Sequence, residues 1–243
     1  MKAYFINLDR SLERCHAFRA GLAALGMEAT RVPAVDGRKL TLPMVEVDAD
    51  DYRRCHGREL RLSEVGCYLS HLAAMRVFLK SSAPYGAIFE DDAEVHQDLP
   101  RVLAELEHND LRGFDVVRLD YRRPGIGFNS AHLDTGHAIR INLTRCTGAA
   151  GYVLNRHAAE CYLSRLLPMR VPFDHAFDRA LHLGLRIGNV CPALVKPWPV
   201  LSTINGASSS GGKVRGLAKA PVLLWRAETE IARGFYAARE FLR

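Results

Sequence analysis

Apolar runs and amphipathic stretches alternate along the first third of the chain. Residues 2–8 and residues 30–35 have the composition of short buried strands. Between them, apolar side chains recur at helical spacing, at Leu12, Cys15, Phe18, Leu22 and Leu25. Gly26 then marks the end of the predicted helix. A strand, a helix and a second strand in this order are typical of a parallel sheet with crossover helices.

The same alternation continues through the rest of the chain and predicts an α/β fold. The pattern predicts helices over residues 63–80, 99–106 and 155–167 and from about residue 174, and strands over residues 86–89, 114–119, 148–154 and 186–195. Residues 137–143 alternate as an edge strand does. Residues 38–61 lack periodicity and are interpreted as a loop-rich insertion, and residues 121–135 as a loop over a site.

The C-terminal segment differs in composition from the rest. Residues 208–212 read Ser-Ser-Ser-Gly-Gly, which predicts a flexible linker between a domain of residues 1–207 and a tail of residues 208–243. Apolar residues and Arg mix over residues 221–243, a pattern typical of a basic amphipathic helix. Two interpretations stay open: the helix lies on a membrane surface, or it packs against the body of the protein.

Charge and targeting signals narrow the class of protein. The formal charge is +6, and the last 31 residues carry two Lys and five Arg against three Glu, so most of the excess lies in the tail. No nucleic-acid-binding motif accompanies it, and we expect no nucleic-acid partner. The N-terminus lacks a signal peptide pattern and no apolar run approaches a membrane span. We therefore expect a cytoplasmic protein, held peripherally on the inner membrane by its tail.

An acidic triplet, Glu90-Asp91-Asp92, directly follows the predicted strand at residues 86–89. Ligands of open α/β sheets bind beyond the carboxyl ends of the strands. Carboxylate oxygens select Mg²⁺ or Mn²⁺, which in turn bind phosphate oxygens. The triplet therefore suggests a nucleotide-diphosphate metal site, although on its own it is better explained as an acidic turn or a helix cap. The six cysteines form no C-x-x-C pair, so we expect reduced thiols and no zinc site.

Six short motifs, taken in order, resemble glycosyltransferase family 25, the bacterial lipooligosaccharide galactosyltransferase group to which the collagen galactosyltransferases are related. They are Asn7-Leu8-Asp9-Arg10 with Arg14, Pro33-Ala34-Val35-Asp36-Gly37, Glu64-Val65-Gly66-Cys67 with Ser70-His71, Glu90-Asp91-Asp92, Gly148 to Tyr152, and Pro172-Phe173-Asp174-His175. The resemblance covers roughly residues 1–204. It departs at residues 195–198, where Lys196 stands in a stretch that often carries Gln in the family.

The resemblance implies a nucleotide-sugar-binding domain of the GT-A kind and an inverting transfer of a hexose, galactose or glucose, from a UDP-sugar. The implied acceptor is a lipooligosaccharide or another surface glycan, which a lipid anchor holds near anionic lipid. In this interpretation Asp92 and Glu90 bind Mn²⁺ or Mg²⁺. The implied donor-binding residues are Asn7, Asp9, Arg10, Arg14, Asp36, Gly37, Glu90 and Asp91, and the implied acceptor or pocket residues are Ser70, His71, Gly148, Gly151 and Tyr152.

Inversion requires a carboxylate that removes the proton of the acceptor hydroxyl. The resemblance points to Asp174, with Asp178 and Glu64 as reserves, and a helix N-cap is the alternative role of Asp174. Gly37 is expected to serve a turn. Two other functions remain open: a scaffold that has lost turnover, and a metal-dependent phosphohydrolase that uses the same carboxylates.

Overall fold

A computed structural model describes residues 1–121, 125–198, 212 and 214–243. The predictions for Arg122 and Arg123, for residues 202–204 and for residues 208–211 of the linker lie outside the described residues. The strands are β1 (Lys2–Asn7), β2 (Thr30–Pro33), β3 (Tyr85–Glu90), β4 (Ala93–Val95), β5 (Val116–Arg118), β6 (Gly127–His132), β7 (Ala138–Asn142), β8 (Gly151–Asn155), β9 (Ile187–Cys191) and β10 (Val195–Pro197). The helices are α1 (Leu12–Ala24), α2 (Ala49–His56), α3 (Leu62–Leu79), α4 (Leu99–His108), α5 (Arg156–Arg165), α6 (Phe173–Phe177), α7 (Ala180–Leu183) and α8 (Ala220–Phe241).

Eight strands form the central sheet, in the order β2-β1-β3-β8-β5-β9-β7-β6. Strand β1 pairs in parallel with β2 and β3, and β5 pairs in parallel with β9. Strand β8 is antiparallel to both of its neighbours, and so is β7. All strands of this sheet except β7 and β8 therefore run in one direction, which confirms the predicted α/β fold with a mostly parallel central sheet and flanking helices.

The parallel part of the sheet follows from its apolar strands. Phe5, Ile88 and Phe89 are fully buried, and Phe18 of α1 contacts the rings of Phe5 and Phe89, with centroids 5.2 Å and 5.9 Å apart. Burying such side chains contributes about 1.5–3 kcal/mol each. Strands β1, β2 and β3 consequently end side by side, which brings the segments after Asn7, Pro33 and Glu90 to one edge of the sheet.

Three predictions about individual elements are wrong. Residues 38–61 contain α2, whose first turn is capped by the Asp48 carboxylate accepting from the backbone N–H of Asp51 at 2.9 Å. This helix has eight mostly charged residues, too few for a visible apolar period. Residues 121–135 contain β6 in place of a loop, and β6 is the edge strand that covers β7. The sequence of β6 is polar and gives no strand pattern. Residues 137–143 are therefore predicted as the edge strand, whereas the structure places β6 at the edge.

Helix α8 packs against the body of the protein through one of its faces. Its Tyr236 hydroxyl donates to the Ile187 carbonyl at 2.8 Å and accepts from the Ile187 N–H at 2.7 Å, which ties α8 to β9. Glu240, buried, pairs with Arg186 at 2.6 Å. Of the two interpretations of the C-terminal segment, packing against the body is observed. Among the described residues, no helix is long and apolar enough to span a bilayer.

Gly66 of α3 allows the chain after β2 to approach the helix closely. A Cβ at Gly66 would lie 2.6 Å from the Val35 carbonyl oxygen and 2.8 Å from the Gly37 nitrogen. We expect Gly66→Ala to lower the free energy of unfolding by about 1–3 kcal/mol, because backbone atoms must move to accept the methyl group. Urea unfolding followed by circular dichroism measures the change.

Gly21 of α1 provides the matched control, since a Cβ there meets no atom within 4 Å. We expect Gly21→Ala to raise the free energy of unfolding by about 0.5–1 kcal/mol, because alanine reduces the entropy that the helix loses on folding. Equal effects of the two substitutions would contradict the close approach at Gly66.

Candidate active site

The acidic triplet at the end of β3 divides into inward and outward carboxylates. Asp91 points inward and is buried: the Asn7 side-chain amide donates to its Oδ2 at 2.6 Å, and the Arg14 guanidinium pairs with its Oδ1. These contacts join β1, α1 and β3. Asp91, Asn7 and Arg14 are all predicted to bind the donor. The structure places them in one network of hydrogen bonds and ion pairs beneath the site.

Asp92 stands on the outer side of this network. Its side chain is about one quarter exposed, and its Oδ2 lies 3.6 Å from Arg14 Nη2. Burial and the neighbouring charge of Glu90 together raise the pKa of Asp92 to about 6, against the opposing effect of Arg14. The ionised form of a carboxylate in this environment is strongly stabilised by a bound cation.

Helix α3 holds Glu90 in place. His71 Nε2 lies 3.1 Å from Glu90 Oε1, and His71 Nδ1 lies 3.1 Å from the Tyr152 hydroxyl. The imidazole also stacks on Phe173, with ring centroids 4.0 Å apart and planes parallel to within 1°. His71 and Tyr152 are both buried, so they act from behind Glu90 and fix its orientation.

Two sets of ligand atoms at this position fit a divalent cation. The carboxylates of Glu90 and Asp92 are hard oxygen ligands that suit Mg²⁺ or Mn²⁺. The ligand atoms of Cys67, His71 and Glu90 also lie within 4.8 Å of one another, a set that suits softer metals. The sequence analysis did not foresee this second set, although Cys67 and His71 stand four residues apart in a predicted helix, which places them on one face.

Asp174 belongs to the same group of carboxylates. Burial raises the pKa of the Cys67 thiol well above its usual range, and the charges of Glu90, Asp174, Asp92 and Glu64 raise it further. The Cys67 Sγ lies 3.9 Å from Glu90 Oε1, and Phe173, the neighbour of Asp174, stacks on His71, so β3, α3 and α6 meet at this position. We call the group of Glu64, Glu90, Asp92 and Asp174 the acidic cluster. The Tyr52 hydroxyl donates to Glu64 at 2.8 Å.

Asp174 and the reserve candidate Asp178 differ in their surroundings. Asp174 is the second residue of α6, and Pro172 occupies the N-cap, so the alternative role of Asp174 as an N-cap is wrong. Asp178 is engaged with two arginines: Arg118, fully buried, donates to it at 2.9 Å, and Arg233 pairs with it as well. Asp178 therefore neutralises the buried charge of Arg118 at the C-terminal end of α6.

The ends of β1 and β2 carry a network of charged side chains. Arg31 donates to the Asn7 side chain at 2.8 Å and to Asp9 at 2.6 Å. Arg10 pairs with Asp36 at 2.5 Å. The Arg38 side chain, with Arg10, holds the pKa of the Asp36 carboxyl well below its usual range. The predicted donor residues Asn7, Asp9, Arg10 and Asp36 thus lie along one edge of the sheet, with Asp9 mostly exposed.

Glycines and small residues around the site serve close packing. Gly37 lies in a 3₁₀ turn, Gly37–Lys39, as predicted, but it has no positive φ; a Cβ there would lie 2.2 Å from the Leu62 carbonyl oxygen, so close approach requires the glycine. The Ser70 hydroxyl accepts from the Val35 N–H at 2.8 Å. A Cβ at Gly151 would meet Val195 at 2.8 Å, whereas Gly148, at φ +134°, accepts a bond from Arg118 through its carbonyl.

Asp120 is a candidate that the sequence analysis missed. It lies two residues after the end of β5, it is buried, and its Oδ1 accepts from the Gly151 N–H at 3.3 Å. Burial raises the pKa of Asp120 to about 6, against the opposing charge of Arg118, and Glu90 adds to the rise. The signal was available, since Asp120 ends the apolar run of residues 114–119 in the same way as Glu90 ends its own strand.

The segment that departs from the family pattern lies against the acidic triplet. Strand β10 pairs with β4, which opposes Lys196 to Glu94. The N–H of Trp198 donates to the Asp92 carbonyl at 2.7 Å. Lys196 is exposed at this position, two residues before the backbone contact with Asp92.

A cleft opens beside Asp174, on the side of α6 that faces α8. Its walls include Arg145, Thr147, Asp174, His175, Trp225 and Arg233. Burial lowers the pKa of His175, so its imidazole is neutral near pH 7. The Trp225 ring lies parallel to the His175 ring, with centroids 6.3 Å apart. The C-terminal helix therefore contributes an aromatic ring to a cleft that borders the acidic cluster.

The α/β sheet, with carboxylates where its parallel strands end, is consistent with a GT-A-like glycosyltransferase fold. The family model for glycosyltransferase family 25 (LPS biosynthesis protein) matches residues 1–177, and the chain belongs to this family.

Similar proteins come from bacteria and animals. The lacto-N-neotetraose biosynthesis glycosyltransferase LgtE of Neisseria meningitidis serogroup B is 29% identical over 154 residues, which are 55% of this chain and 52% of that protein. A glycosyltransferase 25 family member of Anopheles gambiae is 26% identical over 192 residues, 72% of this chain and 31% of that protein. Procollagen galactosyltransferase 1-A of Xenopus laevis is 27% identical over 128 residues, 49% of this chain and 20% of that protein. The chain thus spans between a fifth and about half of the length of these relatives.

Proposed function

We propose that the chain transfers a hexose, galactose or glucose, from a UDP-sugar to a surface-glycan acceptor with inversion at the anomeric carbon. The observation that carries the proposal is the acidic cluster, which combines carboxylates suited to a divalent cation with Asp174 at the edge of an open cleft. Membership of glycosyltransferase family 25 supports the reaction class, and similarity to a lacto-N-neotetraose biosynthesis glycosyltransferase supports a glycan acceptor.

The donor half of the reaction uses the ends of β1, β2 and β3. Asp9 and Asp36 bind the nucleoside, and Arg10 and Arg14 attract the diphosphate. Glu90 and Asp92 would hold Mn²⁺ or Mg²⁺, and the cation would supply positive charge that offsets the negative charge growing on the departing UDP. His71 keeps Glu90 oriented, and the Asn7 and Arg14 contacts to Asp91 hold the end of β3 in place.

The acceptor half uses Asp174. A carboxylate oxygen of Asp174 removes the proton of the acceptor hydroxyl as that hydroxyl attacks the anomeric carbon from the face opposite to UDP. The C–O bond to UDP breaks as the new C–O bond forms, through an oxocarbenium-like state. We place the acceptor sugar over the mouth of the cleft beside Asp174, since the cleft itself has room for little more than a water molecule. Trp225 offers an apolar surface for the C–H faces of the sugar.

A donor screen tests the proposal. Purified protein is incubated with several UDP- and GDP-sugars and Mn²⁺, with and without EDTA, and with oligosaccharide acceptors. We expect UDP release and glycan extension from one UDP-hexose, both abolished by EDTA. Release of phosphate or sugar phosphate would identify a phosphohydrolase instead. Absence of release together with absence of nucleotide binding in thermal shift would identify a scaffold.

Substitution of Trp225 tests the position of the acceptor. We expect Trp225→Ala to raise the KM for the acceptor about 10-fold, equivalent to about 1.4 kcal/mol, with the KM for the donor unchanged. Leu224→Ala is the matched control, since Leu224 is the preceding residue of α8 and lies exposed outside the cleft. Thermal unfolding of both variants controls for lost packing, and a change in the donor KM alone would contradict this assignment.

A further inference from the structure

Helix α8 is apolar on two opposite faces. One face packs on the body through Val222, Tyr236 and Ala237, all buried. At 100° per residue, the side chains of a second set share the opposite face. We call this set the outer stripe; its members are Ala220, Leu223, Leu224, Ala227, Ile231, Phe235, Ala238, Phe241 and Leu242.

The outer stripe is long, continuous and exposed. It extends over about 30 Å at 1.5 Å per residue, and all of its members are exposed. Leu223, Ile231 and Phe241 are 59%, 61% and 72% exposed. Scattered exposed apolar residues are normal on a protein surface, but a continuous apolar patch of this size marks an interaction site.

The charges beside the outer stripe are basic. The glutamates of α8 turn toward the body: Glu228 pairs with Arg179 at 3.3 Å and with His182, and Glu230 pairs with Arg145 at 3.4 Å. Glu240 is buried among arginines.

In contrast, Lys219 borders one edge of the outer stripe without an ion-pair partner among the described residues, and at the C-terminal end of α8 the exposed Arg239 and Arg243 share the single carboxylate of Glu240 with Arg186. The outward charge along this side of the molecule is therefore positive.

We propose that the outer stripe lies on the surface of an anionic lipid bilayer, with the axis of α8 parallel to the membrane. Its apolar side chains enter the boundary between headgroups and acyl chains, and the basic residues contact anionic headgroups. Charge favours lipid over a second copy of the chain. A symmetric dimer through the stripe would bring the same basic borders together, whereas anionic headgroups neutralise them. The proposal does not depend on the transferase reaction.

Vesicle co-sedimentation of the full chain tests this surface. The probes are vesicles of phosphatidylcholine alone and of phosphatidylcholine mixed with phosphatidylglycerol. We expect strong binding to the anionic vesicles, a decrease in added salt, and at least about a 10-fold loss of affinity in the double variant I231S/F235S. Charge reversal by K219E/R239E should give a similar loss. Val45→Ser is the matched control, because Val45 is an exposed apolar residue outside α8.

The possible results distinguish a lipid bilayer from a second copy of the chain as the partner of the outer stripe. Equal vesicle binding by the wild type and I231S/F235S would overturn the proposal. Weak vesicle binding by the wild type, with a dimer in light scattering that I231S/F235S converts to a monomer, would overturn it in favour of a second copy. Turnover of a water-soluble acceptor should stay unchanged in I231S/F235S, so failure of membrane binding is distinguishable from failure of the proposed function.

Discussion

Asp92→Asn will reduce metal-dependent UDP release by about 10³-fold or more, because it removes a charged ligand at the position where the charge of the leaving group develops. The fold should remain intact. Burial and Glu90 raise the pKa of Asp92 to about 6, so the ionised carboxylate is less favourable in the folded protein than in the unfolded chain at neutral pH. A neutral amide of the same shape should therefore leave Tm unchanged or raise it.

The measurement combines UDP release over a series of Mn²⁺ concentrations with thermal unfolding. Asp134→Asn serves as the matched control, since it removes an exposed carboxylate in the turn between β6 and β7. Full turnover by Asp92→Asn would remove Asp92 from the metal site. The Cys67, His71 and Glu90 set would then become the leading candidate for the metal.

Asp174→Asn will lower the rate of glycan transfer by about 10²–10⁴-fold, because the amide cannot accept the proton of the acceptor hydroxyl. Nucleotide binding should persist, since Asp174 lies on the acceptor side of the acidic cluster. Single-turnover transfer measures the chemical step, and thermal shift with UDP measures nucleotide binding.

Asp178→Asn is the informative comparison for Asp174, because it lies one helical turn away. It loses ion pairs with Arg118 and Arg233 and leaves buried charge less well neutralised, so its main effect should be a lower free energy of unfolding. If Asp174→Asn instead transferred sugar at the wild-type rate, Glu64 would be the next carboxylate to test as the base.

The N-terminal half of the fold was predictable because its signals are local. The strand and helix patterns before residue 90 specify β1, α1, β2, α3 and β3 almost residue by residue, and parallel strands place their ends at one edge. The edge of the sheet was not predictable in the same way. Strand β6 has a polar sequence, and its identity depends on pairing with β7 rather than on its own pattern.

The candidate site was predictable as a set of residues but not as an arrangement. The order of the motifs pointed to Glu90, Asp92 and Asp174, and the structure places them in one acidic cluster. The separate position of Asp91 depends on contacts with Asn7 and Arg14, which are distant in sequence. Similarly, the pattern of α8 contains two apolar faces, and sequence periodicity alone does not determine which of them packs on the body.

Trp225 lies on the side of α8 away from the outer stripe. The diameter of the helix therefore fixes the distance between the stripe and the acceptor cleft. A helix with its side chains is about 10–12 Å across, so a stripe resting on lipid would set the acceptor cleft at roughly that height above the bilayer. Selection among lipid-linked glycans would then follow from length as well as from chemical recognition, because the terminal sugar must reach this height to meet Asp174.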